Sequence, residues 1–410
     1  MKKTLLLSMI VSTMIFAGGD IAPVEPAVVA PVAPVAESGW KFSGQGVFYY
    51  ETSDFYWNGP QQNLFNQDSA LANVGLQLTA TNDNLVGGVG FGVQLNGLGT
   101  LGLEEDVVSH PMQMAGDSLN SAYISQLYLT YGINNTSLKV GRQELPKALS
   151  PFAFSEDWNV FKNTFDAALV VNTDIPNTTL VGAWVRDANQ NGYAWYYLHG
   201  WGSTGNMNEF NKANGSDGIW MLTAQNKSIE NLTLTGSLYY ANDYANILWL
   251  DAGYDAGFAN IGLQGGAVWL DAGGTTDTKA FGIKASKKLF DVVNASVAYS
   301  HINDSSAGIF NVGGATSTLY TSMLAEQYAF GDINDNNKFV LRADADVLGG
   351  NIGGALGYTD FGDDTDTKEF DISYSKKITD NIDASATYAY IDYRNGNDFN
   401  IIRLIGRYNF

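Results

Sequence analysis

The chain has 410 residues, with 22 Lys+Arg against 42 Asp+Glu and a formal net charge of −20. So acidic a chain offers no basic footprint for a nucleic acid, and the absence of Cys excludes both a disulfide framework and a lipid-modified Cys. Charged residues are only 16%, aromatics 13%, and Gly numbers 45, a balance that suits many short strands and not a helical enzyme.

The first predicted element is a secretory signal over residues 1–19. Lys2 and Lys3 precede an apolar run from Leu5 to Phe16, and Ala17-Gly18-Gly19 supplies small residues for cleavage. The run is shorter than the roughly 20 apolar residues that a membrane-spanning helix needs. Its removal takes away two lysines and no acid, moving the formal charge from −20 to −22. Residues 20–38 repeat Ala-Pro-Val, which favours polyproline II and cannot join a ladder, so they read as an extended periplasmic linker. No later apolar run is long enough for a membrane helix. A membrane protein without such helices must be a closed barrel, because only closure satisfies every backbone group in lipid.

From Trp40 to Phe410 the sequence alternates apolar and polar residues in segments of about ten. Tight turns are expected at "TATNDN" (79–84), "GINN" (132–135), "TDIPN" (173–177), "NKSIEN" (226–231), "KKLFD" (287–291), "LGGN" (348–351) and "KKITDN" (376–381). Longer connections fall at 143–163, 188–215 and 302–337. Short turns on one side and long loops on the other mark an all-β transmembrane antiparallel barrel, with turns in the periplasm and loops outside. Counting back from the C-terminus gives about 18 strands, with sixteen left open. "TSTLYTSMLAEQYAF" inside 302–337 reads as loop, further strand or short helix, and an even count favours leaving it out of the wall.

Side-chain parity supports closure. Phe339, Leu341, Ala343, Ala345 and Val347 share one face, opposite Lys338, Arg342, Asp344 and Asp346. Tyr49, Tyr50, Tyr131, Trp184, Tyr239, Tyr240, Trp269, Tyr388 and Tyr390 lie near strand ends, where aromatic girdles meet the two lipid interfaces. In the final segment Ile402, Leu404, Gly406, Tyr408 and Phe410 are expected to face lipid, and Arg403, Arg407 and Asn409 to face water. That segment closes the barrel against "WKFSGQGVFYYE", leaving no edge.

The stretch "SLKVGRQELPKALSPFAFSEDWNVFKNTFDAALVVNTDIPNTTLVGAWV" (137–185) resembles the Opr-type outer-membrane porins, the major porins of Campylobacter-like bacteria, and more distantly the OprD-like porins. The resemblance implies a water-filled channel of 16 to 18 strands in the outer membrane of a Gram-negative bacterium. It also implies a homotrimer and passive diffusion of small hydrophilic solutes. The charge of −22 and the acidic third loop add an expected preference for cations, and no cofactor is expected. The outer wall would meet lipid and lipopolysaccharide. Tyr408 and Phe410 resemble the terminal signal read by the barrel-assembly machinery. In related porins the third external loop, here 143–163, folds inward and narrows the lumen.

On that reading the constriction and pore wall draw on Arg142, Glu144, Lys147, Glu156, Asp157 and Lys162, with Lys139, Arg342, Asp344, Arg403 and Arg407 on inward faces. Rings of carboxylates select cations, and opposed charges across a constriction orient water and polar solutes. The same residues can equally be solvated loop charges. "DINDNN" (332–337) and "FGDDTDT" (361–367) offer Asp332, Asp335, Asp363 and Asp364 as weak Ca²⁺ ligands, but the first lacks the Gly and closing Glu of an EF-hand loop. Of three histidines, His110, His199 and His301, only His301 has compact polar neighbours, Asn303, Asp304 and Ser305, as a hydrolase would require. The aromatic stretch 189–210 leaves an adhesin or surface antigen as the alternative function.

Overall fold

The computed structural model describes residues 39–55, 63–116, 120–189, 191, 206–328, 335–394 and 396–410. The signal and linker expected over 1–38, His199, Asp332 and most of 189–210 lie outside these residues. No described helix is long and apolar enough to cross a membrane.

Eighteen strands wind round one closed antiparallel barrel. In chain order they are β1 Lys41–Ser53, β2 Ala70–Val86, β3 Val89–Gly99, β4 Ser121–Ile133, β5 Thr136–Gln143 and β6 Phe165–Asn172. β7 Thr178–Ala188, β8 Ile219–Asn226, β9 Leu232–Ala241, β10 Ala245–Asp255, β11 Asn260–Leu270 and β12 Thr278–Leu289 follow. β13 Val293–Ile302, β14 Asn336–Val347, β15 Gly350–Phe361, β16 Asp366–Lys377, β17 Ile382–Tyr393 and β18 Asn397–Asn409 complete the wall. A two-residue bridge, Asn211–Lys212, adds to the end of β7 without crossing the barrel. Each strand pairs with its sequence neighbour, and β18 returns to β1 in register from Gln45↔Asn409 to Ser53↔Ile401. The count is the expected eighteen. The segment inside 302–337 is not a strand; it carries a 3₁₀ helix, Leu324–Tyr328, held inside the barrel.

Alternation explains both surfaces. Leu129, Leu222, Leu250, Leu263, Leu341 and Leu356 sit on outward rows and are 51–54% exposed. Such a belt is costly in water and suited to hydrocarbon. The inward rows carry Asn73, Thr223, Ser237, Ser300, Lys338 and Arg403, all buried. Tyr131 stands in the belt at the short-turn end, Tyr240 and Trp269 at the loop end. Two expected girdle residues do not: Tyr49 and Tyr239 are 0% and 4% exposed and point inward. Each neighbours an outward tyrosine, Tyr50 or Tyr240, and successive strand residues take opposite faces.

Turns at 134–135, 173–177, 227–231, 290–292, 348–349 and 378–381 fall where the sequence places them, within a residue or two. The first turn does not. β2 runs through 79–84 with a bulge between Asn82 and Val86, and the chain reverses at Gly87-Gly88, φ +59° and +87°. Two central residues at positive φ are what a type I′ hairpin uses, and Gly supplies them without steric cost. The polar cluster Asn82-Asp83-Asn84 is absorbed by the bulge, where Asn82 Oδ1 accepts from the Asn84 N–H.

The seam extends one residue beyond β18. Gly44 N–H donates to Phe410 O at 2.8 Å and Phe410 N–H to Gly44 O at 3.0 Å. A Cβ on Gly44 would lie 2.3 Å from the Phe410 ring, so the ring rests where Gly44 leaves room.

Gly141 in β5 has φ +124°, and a Cβ there would lie 2.2 Å from Leu127 O. Gly141→Ala should therefore destabilise the folded barrel by about 1–3 kcal/mol, the usual cost of a strained backbone position. Urea unfolding of the refolded protein in bilayers checks this, and an unchanged midpoint would contradict it.

Candidate functional site: the loop-filled lumen

An 18-stranded barrel is too wide for wall side chains alone to fill. Here two loops from the long-loop end, L3 (144–164) and L7 (described over 303–328), turn into the lumen. L3 is apolar along two stretches. Leu149 and Phe152 pack on Val181, Met221, Tyr239 and Trp249 of the wall, with Phe152 edge-on to Tyr239 and Trp249 at 5.6 and 5.4 Å. On the opposite side Trp158, Val160 and Phe161 pack on Val47, Tyr49 and Ile405. L7 follows the same division, with Ile309 and Leu319 in the first cluster and Leu324, Ala325 and Tyr328 in the second. Gln113, from the loop after β3, pins the L3 tip: its amide donates to Phe161 O at 2.8 Å and accepts from Phe161 N–H at 2.9 Å.

A loop inside a barrel has backbone N–H groups with no ladder to join, and buried carboxylates take them. Glu156 of L3 is 4% exposed. Its carboxylate accepts from the N–H groups of Ala315 and Thr316 at 3.0 and 2.8 Å, the Thr316 hydroxyl, Asn311 Nδ2 and Trp158 Nε1. Gly314 is required beside it, since a Cβ there would lie 2.3 Å from Glu156 Oε1. Glu326 accepts from Ser317 N–H at 2.7 Å and pairs with Lys338 at 3.3 Å. Glu369 of β16 accepts from Ala325 N–H at 2.7 Å. Arg342 donates to the carbonyls of Tyr320 and Ser322 at 2.9 and 2.6 Å.

Four of the expected residues meet at the edge of L3. Lys162 lies 3.5 Å from Glu144 and 3.7 Å from Asp157, and Arg407 lies 4.0 Å from Asp157. Glu144, Asp157 and Lys162 are each about one-third exposed, so this group borders open space. The carboxylates of Asp157 and then Glu144 raise the Lys162 ammonium above the usual lysine range, so it stays charged. Arg407 also donates to the carbonyls of Asn159 and Val160 and to Gln45.

The other expected residues fall elsewhere. Lys147 donates to Ser317 O at 3.1 Å. Lys139 faces inward, 3.8 Å from the Tyr128 ring centre. Asp344 accepts from Asn294 and Asn351. Arg403, 2% exposed, pairs with Glu51 at 2.6 Å. Arg142 does not join the lumen: it pairs in register with the outward Leu127, forms an ion pair with Asp166 at 2.9 Å, and stacks on Phe210 at 3.3 Å. Lys139 and Arg142 are three residues apart on one strand, and odd spacing puts them on opposite faces. Asp363 is committed to Arg394 and Thr365; Asp364 lies in the same turn, at φ +63°; Asp335 N–H bonds Asn303 O. Among the described residues no three His, Asp or Glu side chains are grouped to hold a metal. His301 stands on the outer face against Phe281 and Asn337, across the wall from Ser300.

Below L3 and L7 a chamber of about 1190 Å³ opens toward the short-turn end. Pro151 and Tyr320 lie at its roof, Ser237, Asp251, Gln264 and Lys284 on its wall, and Lys227, Asp255 and Lys288 at its lower rim. Tyr320 donates to Asp251 at 2.6 Å and lies 4.7 Å from the Lys284 ammonium. Glu51, Asp251 and Lys284 were missed in the sequence, although inward parity on their strands marks each one, and Lys338 and Glu369 were placed on polar faces without being named as pore residues.

No family profile matches the chain, and no curated protein is significantly similar in sequence. Solved structures are similar in fold. Pseudomonas aeruginosa OccK9 (OpdG) superposes with a TM-score of 0.72 at 17% identity, covering 90% of this chain and 98% of that one. OccK3 (OpdO) of the same organism gives 0.70 at 18%, covering 90% and 95%. OccK2 (OpdF), solved in complex with glucuronate, gives 0.69 at 16%, covering 90% and 98%. The chain therefore shares the fold of these proteins, a closed 18-strand antiparallel barrel.

Glu156→Gln keeps the shape but sets an NH₂ against either the Trp158 Nε1–H or the Ala315 and Thr316 N–H groups. It should cost L7 about 1–3 kcal/mol of local stability and expose 303–328 to protease in the folded barrel. Cleavage at the wild-type rate would contradict the role of Glu156.

Proposed function

We propose that the chain is an outer-membrane channel through which small hydrophilic solutes and ions diffuse passively. The observation that carries this reading is the pairing of an apolar outer belt with a polar lumen holding a chamber of about 1190 Å³. The fold likeness to the OccK channels supports it, and the glucuronate held by one of them is a solute of suitable size and polarity. In this account the short turns face the periplasm, the signal over 1–19 is removed, and L3 forms the constriction, with Glu144, Asp157, Lys162 and Arg407 at its edge. The exposed rings of Tyr408 and Phe410 serve the assembly machinery, and the outer belt meets lipopolysaccharide and two further subunits. Loss of Phe410 should then lower insertion in cells while leaving unitary conductance intact.

Selectivity is the finer part of the proposal. A formal charge of −22 after processing, with Glu105, Asp106, Asp304, Asp360 and Asp364 exposed at the loop end, concentrates cations at the mouth and favours their passage. The L3 acids contribute less than their number suggests, because Lys162 and Arg407 offset Glu144 and Asp157, and Glu156 is enclosed. One observation favours a second reading: five lysines, Lys147, Lys227, Lys284, Lys287 and Lys288, line the chamber against Asp251 and Asp255, which suits anionic solutes.

Planar-bilayer recording under a KCl gradient separates the two. A reversal potential of cation sign, reduced by the double variant Glu144→Gln/Asp157→Asn, is expected. An anion sign would overturn the cation preference in favour of the lysine-lined chamber, and an absence of conductance steps would overturn the channel.

A further inference from the structure

We infer that the last strand, β18, positions both inserted loops, through Arg403 and Arg407, and so sets the bore of the constriction. The inference rests on the channel reading. Arg403 Nε donates to Glu51 of β1 at 2.6 Å. The other side of the Glu51 carboxylate takes the Tyr328 hydroxyl of L7, while Tyr49 donates to it at 2.7 Å. Burial raises the Tyr328 phenol well above its ordinary pKa, which keeps it a donor. The Arg403 guanidinium also lies 5.1 Å from the ring centre of Trp158 in L3. One turn of the ladder below, Arg407 holds L3 by its backbone, donating to Val160 O at 3.0 Å and Asn159 O at 2.8 Å. Arg342 of β14 holds L7 alone, whereas β18 reaches both loops.

Glu51 and Arg403 are 352 positions apart and adjacent only where the barrel closes. The anchor for the loops therefore forms when β18 docks on β1. An open barrel would carry L3 and L7 without their fixed position, and closure would complete wall and constriction together. A planar guanidinium fork suits this task at Arg407, whose two terminal nitrogens donate to Gln45, Val160 O and Asn159 O.

Tyr328→Phe and Arg407→Lys test this with the whole chain, because neither breaks a β-ladder hydrogen bond. Folding is read by the mobility shift of unboiled protein on a gel, loop position by limited proteolysis of 144–164 and 303–328, and bore by single-channel conductance. Both variants should fold, lose the wild-type protection of the two loops, and replace the wild-type conductance level with larger, fluctuating ones. Wild-type protection in both folded variants would overturn the inference, whatever the conductance shows. If wild-type protein forms no conductance steps, the channel reading fails, and the proteolysis still decides whether β18 positions the loops. If either variant fails to fold, Arg403→Lys, which keeps the buried charge, replaces it and is read in the same way.

Discussion

Closure of the β1–β18 seam is the constraint on which the rest of this structure depends. Hydrocarbon offers no hydrogen bonds, so every strand N–H and C=O must find a partner within the wall. The nine-residue register from Gln45↔Asn409 to Ser53↔Ile401 removes the two edges that an open sheet would leave. Once the ring is closed, strand alternation decides everything else about the wall. One row of each strand meets lipid and must be apolar; the other encloses water and can carry charge.

Closure also creates the problem that the loops solve. Eighteen strands enclose more space than their inward side chains occupy. L3 and L7 enter that space and bury aromatic and aliphatic side chains against two separate patches of wall. Their backbones then lack ladder partners, and an unpaired buried N–H is costly. Glu156, Glu326 and Glu369 meet that need with carboxylates that accept from Ala315, Thr316, Ser317 and Ala325. Lumen carboxylates in this protein include some enclosed by loop N–H groups, such as Glu156, and others, such as Glu144 and Asp157, that border open space beside cations. In the proposed channel the second kind is the one placed to act on a passing solute.

The wall was largely legible in the sequence because its periodicity is local. Alternation placed Lys338, Arg342 and Asp344 on one face of β14 and put Arg403 and Arg407 together on β18, as the structure has them. Errors arose where local patterns compete. Asn82-Asp83-Asn84 resembles a turn, yet Gly87-Gly88 makes the turn, where two successive positive φ angles reverse the chain. Sequence position assigns Arg142 to the third loop that it precedes, though its spacing of three from the inward Lys139 puts it on the outer face. The lumen contents were mostly illegible. That Glu156 is enclosed while Asp157 is not depends on L7, more than 150 residues away. The 3₁₀ helix at Leu324–Tyr328 is fixed by contacts with β16 and the seam, and no local motif announces them.

The central proposal is that L3 and L7 constrict the channel, with the chamber of about 1190 Å³ open on the short-turn side and a narrower passage above it. Polymer partitioning during single-channel recording tests this most directly. Neutral polymers of graded size are added to one side of the bilayer at a time. The account predicts asymmetry: polymers that enter from the short-turn side and lower the conductance should be excluded from the loop side, and should not cross. Equal partitioning from both sides, with passage of the same polymers, would contradict it.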